Sequence, residues 1–372
     1  MRSFRGQTKV IALVGVAAAA AALAAASGAT ARQGVTLTVV ADKLNNPRGV
    51  TATRAGVVFV AEAGKAGETC LAKDECLGTT GSITRWRNGR AVRVVSGLPS
   101  AGGKDGFFAV GPNAVAVDPA GPLFIAMTDA PECKTPPNLP TSISGVLGKV
   151  IRYTARTGVT RAADIGGAEC ANNYDRGDRN SNPYAIASTG PGRQVVVDAG
   201  ANALFEVDGD KVSLLAVFPR TARGSQSVPT SVAVGPDGAF YVGEFVGEPR
   251  RGKPRRWEAR VWKVVRGQKP TVHLRGFNAI TGLAMTGDGT VYVTEWSINP
   301  ASENESRGAV VRVTPDGKRT RLGFGELHFP SGAAVVGDDT IYVSNWSILT
   351  DTAAPSGPFA GKTGELVRIT LP

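Results

Sequence analysis

The sequence predicts an all-β fold, a six-bladed β-propeller with four-stranded antiparallel blades, and three observations carry the prediction. A two-strand phrase with alternating apolar residues recurs six times, a third strand follows every copy, and the strand missing from the last copy precedes the first.

The copies run Asn46 to Glu62, Gly111 to Met127, Asn182 to Asp198, Val228 to Glu244, Ala279 to Glu295 and Phe329 to Asn345. Their turns include Pro119-Ala120-Gly121, Pro236-Asp237-Gly238 and Gly287-Asp288-Gly289, which carry the usual residues of tight reversals. Third strands are expected at Ser82 to Trp86, Lys149 to Tyr153, Ala203 to Val207, Arg260 to Val264, Ala309 to Val313 and Glu365 to Ile369. Fourth strands follow in the first five copies, near Ala91 to Val95, Thr160 to Asp164, Val212 to Phe218, Thr271 to Leu274 and Arg319 to Leu322. The sixth copy ends at Pro372 without room for one. Val35 to Val40 has the right character to complete it, and closing the ring protects every sheet edge. A pair of two-sheet sandwiches is the competing architecture. The irregular link Thr189 to Arg193 in the third copy leaves five or seven blades as alternative counts.

Ahead of the repeats, Arg2, Arg5 and Lys9 precede an uncharged stretch from Val10 to Ala26, and Ala29-Thr30-Ala31 follows. This reads as a bacterial secretory signal peptide over residues 1–31, with one propeller domain over 32–372 and a secreted or extracytoplasmic destination. A retained membrane anchor is the alternative; no other segment reaches membrane length. Removing the leader leaves 39 basic and 31 acidic residues, a net charge of +8. Nine of the basic residues lie between Arg250 and Lys269, with Trp257 and Trp262 among them. They are read either as a solvated loop or as a contact for an anionic cell surface, with no specific nucleic-acid module around them.

Counting up and down a four-stranded meander puts the connections from strand two to strand three on one face. The long ones are Gly64 to Thr80, Thr128 to Leu147, Phe245 to Glu258, Ser297 to Arg307 and Ser347 to Thr363. Irregular sequence concentrated on one mouth points to function there. Cys70 and Cys76 share the first connection, while Cys133 in the second lies on the same face as Cys170. The expected disulfides are Cys70 with Cys76 and Cys133 with Cys170, in keeping with export; a zinc site is the competing account.

Aligned second strands bring Glu62, Met127, Asp198, Glu244, Glu295 and Asn345 to one position. Strand-one starts bring Arg48, Asn113, Tyr184, Thr230, Thr281 and Ser331 to another, followed by the small residues Gly49, Ala114, Ala185, Ser231, Gly282 and Gly332. One reading makes Glu62, Asn113, Asp198, Glu244 and Glu295 oxygen ligands for calcium or another divalent cation, with Asn345 as a further neutral donor. The other has the acids pair with Arg48, Arg85, Arg193 or arginines of the loops and end their strands. Trp296 and Trp346 follow the second strands of the last two copies and could stack on sugars or aromatic ligands, or pack as core. Only two histidines occur, His273 and His328, so a Ser/His/Asp arrangement would have to be assembled by the fold. No phosphate-binding glycine loop is present.

The phrases Asn46-Pro47-Arg48-Gly49-Val50, Phe59 to Gly64, Asn182-Pro183-Tyr184-Ala185-Ile186 and Val196 to Asn202 resemble the ScyD/ScyE family of exported bacterial proteins. More distantly, the repeats are similar to NHL-type propellers, calcium-dependent lactonases and strictosidine-synthase-like proteins. That resemblance implies a metal-bearing channel, and Glu62, Asn113, Asn182 and Asp198 correspond to its acid, two asparagines and aspartate. The spacing differs from the lactonase pattern, so catalysis is not carried over.

Three functions follow as expectations. The first is an exported binding protein that engages a protein, glycan or small molecule through its loop-rich face, with Arg48, Asn182, Tyr184, Trp296, Asn345 and Trp346 beside the acids. The second is a cation-dependent lactonase-like hydrolase. The third is an envelope structural protein that contacts polyanions.

Overall fold

The computed structural model describes residues 34–72, 75–128, 133, 141–247, 257–299, 305–353 and 356–372. The expected signal peptide over 1–31, the first half of the basic run and the middle of the second long connection lie outside the described residues.

Within these residues the chain forms six antiparallel sheets arranged as blades. Blade two is Pro112–Val117, Leu123–Met127, Val150–Thr154 and Gly158–Ala163. Blade four is Pro229–Val234, Phe240–Glu244, Ala259–Val264 and Thr271–Phe277, and blade five is Ile280–Met285, Val291–Glu295, Ala309–Val313 and Arg319–Leu322. Blade six combines Ala333–Val336, Thr340–Asn345 and Gly364–Thr370 with Thr36–Leu44. The closing pair is in register from Thr36 opposite Thr370 to Val39 opposite Val367. The ring therefore closes through main-chain hydrogen bonds between the two ends of the chain.

Blade three settles the count at six. Pro183–Gly190 and Arg193–Asp198 form a hairpin with Gly190 opposite Arg193, and the side chain of Asp118 from blade two accepts the Gly192 N–H at 2.7 Å. The link that looked irregular is a tight turn held by its neighbour.

Blade one departs from the expected plan. Its outer strands, Glu75–Arg87 and Arg90–Gly102, run well past the blade, and Thr69–Ala72 pairs with the extension of Glu75–Arg87. The first connection is thus a β-arm whose directly opposed Cys70 and Cys76 are disulfide-bonded. Gly67 and Gly78 permit the arm to fold back, since a Cβ at either would meet backbone atoms of the other strand within 2.5 Å. A helix, Ile165–Asn172, also precedes blade three, where Asp164 caps its first turn through the Gly167 N–H at 2.8 Å. The disulfide from Cys133 to Cys170 ties that helix to the second connection.

Six apolar clusters fill the seams between neighbouring blades; Phe124 and Phe205, for example, share the seam of blades two and three. Each large side chain buried there contributes about 1.5–3 kcal/mol. The first strands pack side by side around the axis, the sixth returning to the first. A Cβ on Gly332 would lie 2.3 Å from Val50 N and 2.6 Å from Gly49 Cα, and one on Gly49 would lie 2.8 Å from Ala114 Cα. The small residues expected at the axis are therefore required by backbone approach. Gly332→Ala should cost about 1–3 kcal/mol or more through overpacking in a urea titration. Gly287→Ala, at a turn with open space around it, should change stability far less.

Candidate functional site

The strand-two acids turn toward the segment leading into their own blade. Glu62 Oε2 accepts the Asn45 N–H at 2.7 Å, Glu295 Oε1 accepts the Asn278 N–H at 2.8 Å, and Asn345 Oδ1 accepts the His328 N–H at 2.7 Å. Glu244 Oε2 accepts the Ser227 hydroxyl at 2.5 Å. The next residue in each case, Asn46, Ala279, Phe329 and Val228, has φ between 35° and 50°, a region that non-glycine residues adopt at a cost. The acid thus braces a left-handed step into the innermost strand. Asp198 does related work, accepting Ser181 Oγ and the N–H groups of Asn182, Gly200 and Ala201. In blade two the position is Met127, which packs into the seam instead.

These carboxylates are fully buried, and three are offset by arginine. Arg93 meets Glu62 at 2.9 and 3.1 Å, Arg260 meets Glu244 through Nε and through Nη2 at 3.0 Å, and Arg321 Nη2 lies 3.5 Å from Glu295. The partners come from strands three and four rather than from Arg48, Arg85 or Arg193. Arg48 instead donates to Ala109 O at 2.9 Å. Glu365 accepts from Asn345 Nδ2 at 2.9 Å and takes the arginine's place in blade six.

Among the remaining expected site residues, Asn113 Nδ2 donates to Asn182 Oδ1 and Pro183 O, each at 2.9 Å, stitching blades two and three. Thr230 and Thr281 make the equivalent bonds to Ile280 O and Pro330 O. Tyr184 is half-buried at the start of blade three. The structure thus brings Asn113, Asn182 and Asp198 together through the Asn182 backbone and side chain, while Glu62, Glu244 and Glu295 each belong to a separate blade. No group of three acid, histidine or cysteine side chains suited to a metal occurs among the described residues. The lactonase-type set of Glu62, Asn113, Asn182 and Asp198 does not fit a calcium ion as it stands. Both Glu62 oxygens and both Asp198 oxygens are already engaged by protein donors, and we derive no chemical step through a cation.

Trp296 and Trp346 belong to an aromatic cluster on the loop-bearing face. Phe329, Trp346, Ile348 and Leu349 form its buried part, with Phe107, Phe108, Trp296 and Phe359 packed against them. Ring centroids lie 4.7 Å apart for Trp296 and Phe329 and 5.8 Å apart for Trp346 and Phe359. The last long connection is tied to the approach to blade two by Phe108 N–H to Ile348 O at 3.2 Å, and Lys65 pairs with Asp351 at 3.0 Å. His328 stacks on Trp346 with centroids 4.3 Å apart, and its Nδ1 lies 2.9 Å from Ser306 Oγ. Burial and the nearby Lys362 lower the His328 pKa, which favours the neutral imidazole. His273 packs edge-on against Tyr241 at 4.9 Å, away from that pair.

Sequence patterns did not single out Ser306, Phe359 or Glu169. Glu169 sits on the helix before blade three, fully buried, with Oε1 lacking a hydrogen-bond partner among the described residues and Oε2 accepting the Tyr174 N–H at 3.2 Å. Burial pushes its carboxyl up to about 7, with the charges of Asp198 and Asp175 adding to the effect.

No family model matches the chain, and no curated protein matches it. Solved structures do. The PQQ-bound aldose sugar dehydrogenase of Streptomyces coelicolor superposes with TM-score 0.52 at 13% identity, covering 91% of this chain and 98% of that one. The calcium-binding protein regucalcin of Agrobacterium tumefaciens gives 0.51 at 16% identity over 91% and 95%. A gluconolactonase of Xanthomonas campestris gives 0.50 at 11% identity over 91% and 90%. The chain shares the six-bladed β-propeller fold of lactonase-type and sugar-dehydrogenase proteins; at these identities the likeness is one of fold.

Glu169 makes stability fall as pH rises. The folded state holds its proton up to about pH 7, whereas the unfolded chain releases it near the ordinary value, so between those points the folded state binds more protons. Thermal unfolding should show a loss of up to about 1.4 kcal/mol per pH unit from this group. Glu169→Gln should flatten that slope and stabilise the protein at pH 8.

Proposed function

We propose that the protein is an exported propeller that binds a ligand on its loop-bearing face and catalyses no reaction there. The observation that carries this reading is the aromatic cluster of Trp296, Phe329, Trp346 and Phe359 on the face that also carries the long connections. Its half-buried rings, Trp296 and Phe359, offer rigid contact area to a sugar, a flat small molecule or a protein loop. The signal-like amino terminus and the ScyD/ScyE resemblance support export. No helix among the described residues is long and apolar enough to cross a membrane. Binding is favoured over cation-dependent hydrolysis because Glu62, Asp198 and Glu244 spend both oxygens on donors of the protein itself.

Residues 32–372 should give reproducible hits on arrays of glycans and envelope polymers or in pull-downs. The double variant Trp296→Ala/Phe359→Ala, checked for retained fold by circular dichroism, should weaken the best hit tenfold or more, about 1.4 kcal/mol. Binding unchanged in that variant would overturn the assignment of the face.

Calcium supplies a separate check. The purified protein is expected to contain less than one equivalent of metal, and millimolar calcium should leave the melting temperature in place. A resident ion at a hundredfold excess over its dissociation constant would add about 2.7 kcal/mol; a rise of that size would restore the hydrolase reading.

A further inference from the structure

The acid–arginine clamp repeats closely in blades one and four. In both, a single guanidinium binds the buried carboxylate through two nitrogens and also reaches a backbone carbonyl of the preceding blade: Arg93 to Lys43 O at 3.0 Å, Arg260 to Pro219 O at 3.2 Å. Further donors, Thr84 Oγ1 in blade one and Trp262 Nε1 in blade four, complete the carboxylate.

Blade five divides this work between two arginines. Arg321 approaches Glu295 through one nitrogen at 3.5 Å, while Arg319 takes the carbonyls of Arg275 and Gly276 at 2.6 and 3.3 Å. Between them lies a cavity of about 190 Å³ lined by Trp257, Phe277, Glu295, Arg319 and Arg321. Arg319 lies over the Phe277 ring at 4.5 Å and Arg321 over Trp257 at 5.0 Å, so both guanidinium planes are supported. Trp257 is 42% exposed. The Glu295 carboxyl is pushed up by burial, beyond what Asn278 and Arg321 return.

We propose that this groove between blades four and five is a binding subsite for one neutral sugar ring. The volume equals about six waters at roughly 30 Å³ each, too small for an extended ligand and suited to a single ring. Charge decides the class. A cation at the floor would face two arginines, and an anion, though drawn by them, could not donate to the acceptor Glu295. Vicinal hydroxyls satisfy both, since one can donate to Glu295 while its neighbour accepts from a guanidinium. The exposed Trp257 supplies an aromatic wall for the apolar C–H face of the ring. This deepens the ligand-binding reading by adding a second site with its own chemistry, lined by none of the rings of the aromatic cluster.

Saturation-transfer NMR and calorimetry on residues 32–372 should use methyl glycosides of neutral hexoses, with a uronic acid and free arginine as charged comparators. A neutral glycoside is expected to bind, with Trp257→Ala and Arg319→Ala each weakening it fivefold or more and Leu214→Ala, at an exposed position of blade three, leaving it unchanged. Both informative variants lie at exposed positions, so loss of fold is not expected, and a melting curve checks it. Absence of binding by every neutral glycoside, preference for either charged comparator, or indifference to both groove variants would overturn the proposal. Loss confined to Trp296→Ala would overturn it too while leaving the face reading intact; array binding that survives Trp296→Ala/Phe359→Ala but fails with Trp257→Ala would do the reverse.

Discussion

Closure of the ring is the constraint on which the rest of the molecule depends. Six first strands converge on one axis, and at three junctions the backbones meet so closely that a methyl group would collide with main-chain atoms of the next blade, at Gly49, Gly282 and Gly332. Neighbouring blades are then joined by polar bonds, including Ser344 Oγ to Arg48 O at 2.6 Å across the seam between blades six and one. A closed ring has no free inner edge, and the amino-terminal strand removes the outer gap that would remain. The scaffold can therefore tolerate long connections on one face, because the strand pairing that closes the ring lies within the blades.

A consequence is the recurring acid at the end of strand two. The chain must turn sharply to reach the innermost strand, and it does so in a left-handed step at Asn46, Val228, Ala279 and Phe329. Val228 is β-branched, which makes this conformation particularly unfavourable. A hydrogen bond to a charged acceptor contributes roughly 1.5–3 kcal/mol, of the order needed to hold such a step. The carboxylate must be buried to reach it, and burial of a charge requires a partner. Arg93, Arg260 and Arg321 supply that partner in three blades. Asp198 is served by four donors without arginine, yet burial still raises its pKa.

The fold was legible because its signals are periodic: alternation of side chains, turn residues at fixed offsets, and a strand displaced from one end of the sequence to the other. The disulfides followed from topology, since counting strands placed Cys133 and Cys170 on one face. What could not be read was the direction of side chains one strand away from the axis. Glu62 and Glu244 look like a ring of ligands in an alignment, but the pleat and the left-handed step turn them into their own blades. A separation of 16 or 17 residues between each acid and the group it braces was the available signal. The β-arm of blade one was missed because Glu75 to Gly81 lacks alternation, and the helix at Ile165–Asn172 because it is short and glycine-containing.

Repetition also shows where to look for function. A device that appears in nearly the same form in several blades is explained by the architecture they share, and the clamps of Glu62 and Glu244 are of that kind. Positions where the repeat is altered without loss of the fold need a different explanation. Blade six replaces the acid by Asn345 and builds an aromatic cluster with a stacked His328 above it. Blade five keeps the acid but divides its arginine clamp and leaves open space over a buried carboxylate. A buried charge met by fewer donors is less well offset, and blades one and four show that this chain has a fuller clamp available. The divided clamp beside an exposed tryptophan is the kind of local inconsistency that a binding site imposes on an otherwise consistent fold.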